Sequence, residues 1–180
     1  ALVKGGADAV LCETIFDTLN AKAALYACDA AMAAVGREVP VMLSFTVADA
    51  QGRILSGQTI EAFIASVQGR NLLSVGLNCS FGASKMEPFL RELSDLTSCY
   101  ISAYPNAGLP DAMGQYDQTP AMMAADIARF AARGVVNIVG GCCGSTPEHI
   151  AAIAETVKDF APREVKPKQS AWLAGLDTLE

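Results

Sequence analysis

The sequence has few of the residues on which several common functions depend. Its 180 residues include one histidine and 13 lysines and arginines, and the basic residues form no dense cluster. The formal net charge is -6, so neither a nucleic-acid surface nor an anionic-membrane surface is indicated. No serine–histidine–aspartate triad can be assembled, and no G-x-x-x-x-G-K-[ST] phosphate loop is present. We therefore expect a small molecule as the main partner.

Long apolar runs and a leader segment are also missing. Asp29 interrupts the alanine-rich stretch 21–35, and no apolar run reaches the roughly 18–20 residues that cross a bilayer. The chain begins ALVKGGADAV, without an initiator methionine or a basic leader, so we interpret it as part of a longer polypeptide. Six cysteines in 180 residues are few for a disulfide scaffold. We expect a reducing, cytoplasmic location and no membrane partner.

A repeated strand–helix pattern is present instead. Short apolar segments predict five strands, at residues 7–13, 39–47, 72–79, 98–104 and 134–139. Amphipathic patterns predict a helix after each strand, at residues 18–35, 59–69, 84–96, 120–133 and 146–160. Strands that are apolar on both faces indicate a parallel sheet covered by helices, so the fold class is α/β.

Two architectures fit this pattern. One is a complete, doubly wound sheet of five strands. The other is a (β/α)₈ barrel of about 250 residues that lacks its first three units. The pattern alone does not choose between them. Beyond residue 160 the periodicity ends, so we predict a domain at 1–160 and a linker at 161–180.

The candidate site follows the ends of two predicted strands. Adjacent side chains of an extended strand point to opposite faces, so Cys142 and Cys143 of the GGCCG segment can converge only where the strand has ended. We expect the flanking glycines to turn the chain and to leave room there. Cys79, at the end of the 72–79 strand, adds a third thiolate, and three sulfurs leave one position of a tetrahedral zinc open. Simple packing and a vicinal disulfide explain the glycines less well.

Other candidates have competing interpretations. We assign Cys12, Cys28 and Cys99 to the core, because cysteine is among the most buried residue types. Glu13 ends the first strand and either binds an ammonium group or caps the next helix, with equal support. Asn106 is more easily explained by turn formation than by metal or substrate binding.

His149 is predicted to have a structural role. Ser145 or Thr146 is a good N-cap, Pro147 suits the first helical position, and His149 then falls in the opening turn of the last helix. This placement makes His149 a weaker metal-ligand candidate than the three cysteines.

Four segments of this sequence carry a resemblance to a known family. They are ETIFDTLNAKAAL (13–25), GLNCSFGA (76–83), YPNAGLP (104–110) and GGCCGSTPEHI (140–150). Together they resemble the homocysteine-binding domain of cobalamin-dependent methionine synthases, within the homocysteine S-methyltransferase family. The resemblance implies a (β/α)₈ barrel, of which this chain would hold strands four to eight. It also implies zinc on Cys79, Cys142 and Cys143, contact of Glu13 with the homocysteine amino group, and Asn106 near the fourth zinc position.

The function implied by the resemblance is methyl transfer to homocysteine. Zinc would stabilise the homocysteine thiolate, which would take a methyl group from methylcobalamin to give methionine, with 5-methyltetrahydrofolate as the original source. No catalytic residue beyond the zinc ligands is implied. Folate and cobalamin modules would be partners, and the linker would lead toward the folate module, so the chain alone would be inactive. The alternatives are a betaine- or S-methylmethionine-dependent homocysteine methyltransferase and a non-catalytic zinc or thiol fragment.

Overall fold

The computed structural model describes residues 1–167 and 172–179 and confirms the alternation of strands and helices. The strands are β1 (Val10–Ile15), β2 (Val41–Phe45), β3 (Leu72–Gly82), β4 (Tyr100–Asn106) and β5 (Ile138–Val139). The helices are α1 (Thr18–Val35), α2 (Ile60–Val67), α3 (Ala83–Leu96), α4 (Pro120–Ala132) and α5 (Pro147–Val157). A short hairpin, β6 (Leu173–Ala174) and β7 (Thr178–Leu179), completes the described elements.

The order of the strands decides between the two predicted architectures. Hydrogen bonds join the strands in the order of the sequence, β1-β2-β3-β4-β5, and the β1–β2 and β4–β5 pairs are parallel. A doubly wound sheet reverses its strand order at a switch point, and no reversal occurs here. Sequential parallel strands, each followed by a helix, are the arrangement of a (β/α)₈ barrel. The fold is therefore α/β and corresponds to part of such a barrel.

The first of two compact units contains residues 1–75 with the hairpin at 172–179. Phe45 of β2 and Phe63 of α2 stack in its core with ring centroids 4.1 Å apart, and neither side chain is exposed. Asp17 caps α1 by accepting a hydrogen bond from the Asn20 backbone N–H at 2.9 Å. Because Asp17 serves this role, the interpretation of Glu13 as the helix-capping acid is wrong.

The second compact unit extends from residue 76 to the last described residue before the hairpin, 167. A buried arginine ties its carboxyl-terminal segment to the end of α3. The Arg163 guanidinium donates to the carbonyl oxygens of Ser94, Thr97 and Cys99 at 2.9, 2.6 and 3.0 Å. These bonds satisfy the charged group with neutral acceptors, as burial requires. The segment that follows α5 is therefore held against the second unit as far as Arg163.

The bounds of several elements differ from the sequence prediction, and β3 runs to Gly82, beyond its predicted end at residue 79. Strand β5 is shorter than predicted, because the Asn137 side chain rather than its backbone accepts the Ile101 N–H, so regular pairing begins at Ile138. The 172–179 hairpin was not predicted. Its Asp177 carboxylate accepts a hydrogen bond from Arg53, and its Gly175 carbonyl accepts one from Gln58. The predicted linker 161–180 lies partly outside the described residues, and the domain boundary at 160 stays a prediction. Among the described helices none combines the length and apolar character needed to span a bilayer.

Candidate metal centre

Three cysteine sulfurs meet at one point of the second unit. Cys79 Sγ lies 2.9 Å from Cys142 Sγ and 3.4 Å from Cys143 Sγ, and the last two are 3.9 Å apart. All three are free thiols, so no vicinal disulfide joins Cys142 to Cys143. Sulfurs that share a tetrahedral zinc at about 2.3 Å are about 3.8 Å apart, so a slight opening of this triangle would admit the ion. The sequence prediction that these three residues converge is confirmed.

The end of β3 brings Cys79 to this point through unusual backbone angles. Cys79 and Ser80 have φ values of 58° and 59°, in the left-handed region that residues with a Cβ seldom adopt. Each such residue costs on the order of 1–3 kcal/mol. Favourable packing in the rest of the unit must offset this backbone strain. The conformation of Cys79 and Ser80 is therefore imposed by the fold and not by the intrinsic φ preference of these residues.

The GGCCG turn is fastened to the end of β4. Strand β5 ends at Val139, before the cysteines, as predicted. The Cys142 N–H donates to the Pro105 carbonyl at 2.8 Å, and the Ala107 N–H donates to the Cys143 carbonyl at 2.9 Å. Asn106 adds a third tie, because its Oδ1 accepts the Cys143 N–H at 3.1 Å. These bonds fix the positions of both cysteines before any ligand arrives.

The glycines of this turn act differently from the prediction. Only Gly144 of the three has a positive φ, 78°, so only there is torsional freedom required. Gly141 is needed for space instead, because a Cβ at this position would lie 2.1 Å from Ser145 Oγ. The room that glycine leaves at 141 is therefore filled by the protein itself and not kept for a metal or substrate.

The cluster shifts the pKa values of Cys79 and Cys143 in opposite directions. Burial, followed by the hydrogen bonds with Cys142 and Cys143, raises the pKa of Cys79 to about 12. Hydrogen bonding with Cys79, the largest influence, and then with Cys142 lowers the pKa of Cys143. The Cys79 thiol therefore keeps its proton at neutral pH unless a cation compensates the charge of its thiolate. Soft thiolate donors with one open side are the ligand set that zinc prefers.

The two asparagines near the cluster have distinct contacts. Asn106 is buried, and its amide oxygen faces the Cys143 backbone, so its place beside the cluster agrees with the sequence expectation. Its role as a fourth ligand stays a prediction. Asn78, which sequence reasoning did not select, is fully buried and directs its Nδ2 toward Cys142 Sγ at 3.9 Å. The sequence could have indicated Asn78, since this residue directly precedes Cys79 at the end of a predicted strand.

Comparison with known proteins agrees with this geometry. A family model for homocysteine S-methyltransferase matches residues 1–157. The chain belongs to the homocysteine S-methyltransferase family. It is also similar in structure to the Escherichia coli homocysteine methyltransferase MmuM, over 86% of this chain. The TM-score is 0.68 at 26% identity for the oxidised form, and 0.64 at 24% identity for both the apo and the metallated forms.

The chain spans about half the length of these solved relatives, 47% of the oxidised form and 52% of the apo form. The likeness at 24% identity is evidence for the fold alone. Family membership therefore rests on the match over residues 1–157, and the partial-barrel fold rests on the strand order as well.

The remaining candidates of this homocysteine S-methyltransferase chain lie in both units. Glu13 is exposed near the end of β1 in the first unit, and its contact with substrate stays a prediction. His149 is buried in the first turn of α5, with Thr146 as the N-cap, as the structural interpretation predicted. Its Nδ1 accepts the Thr146 N–H at 3.2 Å, which leaves Nε2 to donate to the Gln118 carbonyl at 2.8 Å.

Of the other cysteines, Cys12, Cys28 and Cys99 are half-buried rather than fully enclosed. Tyr116 is the main residue that sequence reasoning missed. It lies in the β4–α4 loop, where no periodic pattern marks it, and its ring lies against Gly144, the residue after Cys143.

Proposed function

We propose that this chain is the zinc-binding part of a homocysteine S-methyltransferase of the methionine synthase type. The observation that carries the proposal is the convergence of three free thiols, within 3.9 Å of one another, in a chain of this family. Cys79, Cys142 and Cys143 would hold the ion and leave one position for the homocysteine sulfur.

Bound zinc would supply the positive charge that keeps a fourth, substrate sulfur as a thiolate at neutral pH. The residues of the chain make this possible by their arrangement. Asn106 and the Pro105 carbonyl fix the GGCCG turn, and the strained end of β3 directs Cys79 toward it. The exposed side of Cys143 leaves a path for the substrate to reach the cluster.

We further propose that Glu13 binds the amino group of homocysteine and that Asn106 can approach the fourth ligand position. An exposed carboxylate near a strand end supports the first role, and the short distance between Asn106 and Cys143 supports the second. The methyl group would come from methylcobalamin on a separate module, charged from 5-methyltetrahydrofolate on another. The resemblance of residues 13–25 and 104–110 to methionine synthases supports this donor. Six free thiols are consistent with a cytoplasmic location.

Zinc content and proton release test the proposal together. We expect the chain to bind one zinc, and homocysteine to release a proton when it binds the loaded chain. The proton can be measured by calorimetry in buffers of different ionisation enthalpy. Cys142→Ser should abolish both results, whereas the matched control Cys99→Ser, in the same unit, should retain both. The site would be refuted if Cys142→Ser, and a variant that lacks all three sulfurs, both bound as much zinc as the original chain.

The methyl donor requires a separate test. In a polypeptide that supplies the remaining barrel units, methylcobalamin, betaine and S-methylmethionine can each be offered with homocysteine. Methionine formed from methylcobalamin alone is the expected result. Methionine formed only from betaine or S-methylmethionine would place the chain with the other homocysteine methyltransferases.

A further inference from the structure

Two thiols of the first unit lie in contact between β1 and α1, apart from the residues of the candidate metal centre. Cys12 Sγ and Cys28 Sγ are 3.8 Å apart, and both cysteines are free. The sulfurs of a disulfide bond are about 2.05 Å apart, so these two need to approach each other by only about 1.8 Å to form one. We call Cys12 and Cys28 the thiol pair.

Regular secondary structure brings the thiol pair together. On α1, Cys28 follows Ala21 and Leu25 at helical spacing, and those two are the buried residues of this helix. On β1, Cys12 pairs with Leu43 of β2, which is fully buried. Because α1 packs on β1, the contact between the two sulfurs is set by the packing of the helix on the strand.

The chain next to Cys12 departs from regular strand geometry. The register of β1 against β2 shifts between Cys12 and Ile15, and Thr14, between them, has a φ of 59°. An extra residue of this kind interrupts the ladder of strand hydrogen bonds, so the backbone beyond Cys12 can adjust as the sulfurs approach. Both cysteines are half-buried rather than enclosed, so a small reagent can reach them.

We propose that Cys12 and Cys28 are a redox-active thiol pair, which a low-molecular-weight disulfide, RSSR, converts to an intramolecular disulfide bond. One cysteine, as its thiolate, attacks RSSR and releases RS⁻. The other attacks the mixed disulfide, forms the Sγ–Sγ bond and releases the second RS⁻. The two thiol protons end on two RSH molecules, so the chain loses two electrons and RSSR gains them. The bond closes residues 12–28, which include Glu13, into a loop.

The protonation of Cys12 affects both directions of this exchange. Burial, followed by the charge of Cys28 and the hydrogen bond with it, raises the pKa of Cys12 to about 11. Cys12 is therefore seldom a thiolate at neutral pH, which slows its attack on RSSR. A thiol with a raised pKa is also a poor leaving group, so the bond, once formed, resists cleavage that would release Cys12.

Peptide mapping tests the proposal, because trypsin places the two cysteines in separate peptides. Cleavage after Lys4, Lys22 and Arg37 gives peptides 5–22 and 23–37, each with one cysteine. The zinc-loaded chain is incubated with oxidised glutathione, alkylated and digested. We expect the two peptides to be joined, and the joined form to exceed glutathione adducts of either peptide at least about tenfold, since the second thiol is already in contact. Dithiothreitol should release both peptides.

Matched variants and a second measurement accompany the mapping. Cys28→Ser should abolish the joined peptides, whereas Cys99→Ser should retain them. In urea, the oxidised original chain should unfold at a higher concentration than the reduced chain, because the bond restricts the unfolded state. Oxidised glutathione should not raise the unfolding midpoint of Cys28→Ser.

Three results would overturn the proposal. The first is glutathione adducts on Cys12 or Cys28 without joined peptides. The second is linkage of Cys12 or Cys28 to other cysteines as often as to each other, because it would show that the contact does not direct the reaction. The third is a lower urea midpoint for the oxidised chain, which would show that the bond is incompatible with the folded state.

Discussion

The chain contains two groups of neighbouring thiols, and they differ in nearly every property except proximity. Cys12 of β1 and Cys28 of α1 have sulfurs 3.8 Å apart in the first unit. Cys79, Cys142 and Cys143 have sulfurs 2.9–3.9 Å apart in the second unit. The pair lies between a regular strand and a regular helix, whereas the cluster lies between the carboxyl-terminal part of β3 and the turn that follows β5.

Backbone shape separates the two groups. A strand and the helix packed on it bring single side chains together, so each contributes one sulfur. In the cluster, positive φ values at Cys79 and Gly144 turn the chain, and two consecutive cysteines face a third. The pair therefore lacks the third sulfur donor that the turn after β5 supplies to the cluster.

The strongest expected effect comes from removing one sulfur of each group. Cys79→Ser should weaken zinc binding by more than the roughly 10–100-fold that loss of an outer-shell partner costs, because a ligand itself is lost. Cys12→Ser should leave zinc affinity unchanged. Competition with a chromophoric chelator measures both. Comparable weakening in the two variants would mean that the cluster is not the zinc site.

A glycine from each unit provides the next contrast. Gly36 and Gly144 have similar φ values, 71° and 78°, but a Cβ meets nothing within 4 Å at Gly36 and meets the Tyr116 ring at Gly144. Gly36→Ala should lower the free energy of unfolding by about 1–2 kcal/mol from backbone strain alone. Gly144→Ala should lower it by a further ~1–3 kcal/mol from overpacking. Urea unfolding of the metal-free chain measures both losses, and equal losses would contradict the observed ring contact.

Much of this contrast could be predicted from the sequence. Apolar segments located the strands, and the rule that parallel strands end at one edge brought Cys79 to Cys142 and Cys143. The sequence did not reveal Tyr116, because its loop has no periodicity and is closed by a backbone hydrogen bond from Gln118 to Ala107. Nor could it distinguish Gly144, which needs torsional freedom, from Gly141, which needs space, since both requirements select the same residue type.

Alkylation rates compare one thiol of the cluster, Cys143, with one thiol of the pair, Cys12. Cys143 is exposed with a lowered pKa, whereas burial and Cys28 raise the pKa of Cys12 to about 11. Because the thiolate reacts, metal-free Cys143 should be alkylated by iodoacetamide at least about tenfold faster than Cys12 at pH 7.5. Zinc should protect Cys143 and not Cys12. Mass spectrometry follows each site, and faster labelling at Cys12 would reverse the assignment.

The smallest effect is a pH dependence of the first unit. The folded state raises the pKa of Cys12 from 9.0 to about 11, so it binds this proton more tightly than the unfolded state. The resulting stability is complete below pH 9 and is lost as pH rises toward 11. Cys12→Ser should therefore lose less stability than the original chain between pH 8 and pH 10.5, as measured by urea unfolding. An identical loss in both would show that Cys12 titrates normally.

X-ray absorption at the zinc edge tests the central claim most directly, because it counts the sulfur atoms around the metal. The chain loaded with zinc should show three sulfur neighbours at about 2.3 Å, and addition of homocysteine should raise the number to four. A sulfur count that stays the same when homocysteine is added, or fewer than three sulfurs before it is added, would contradict a three-cysteine centre that binds the substrate thiolate.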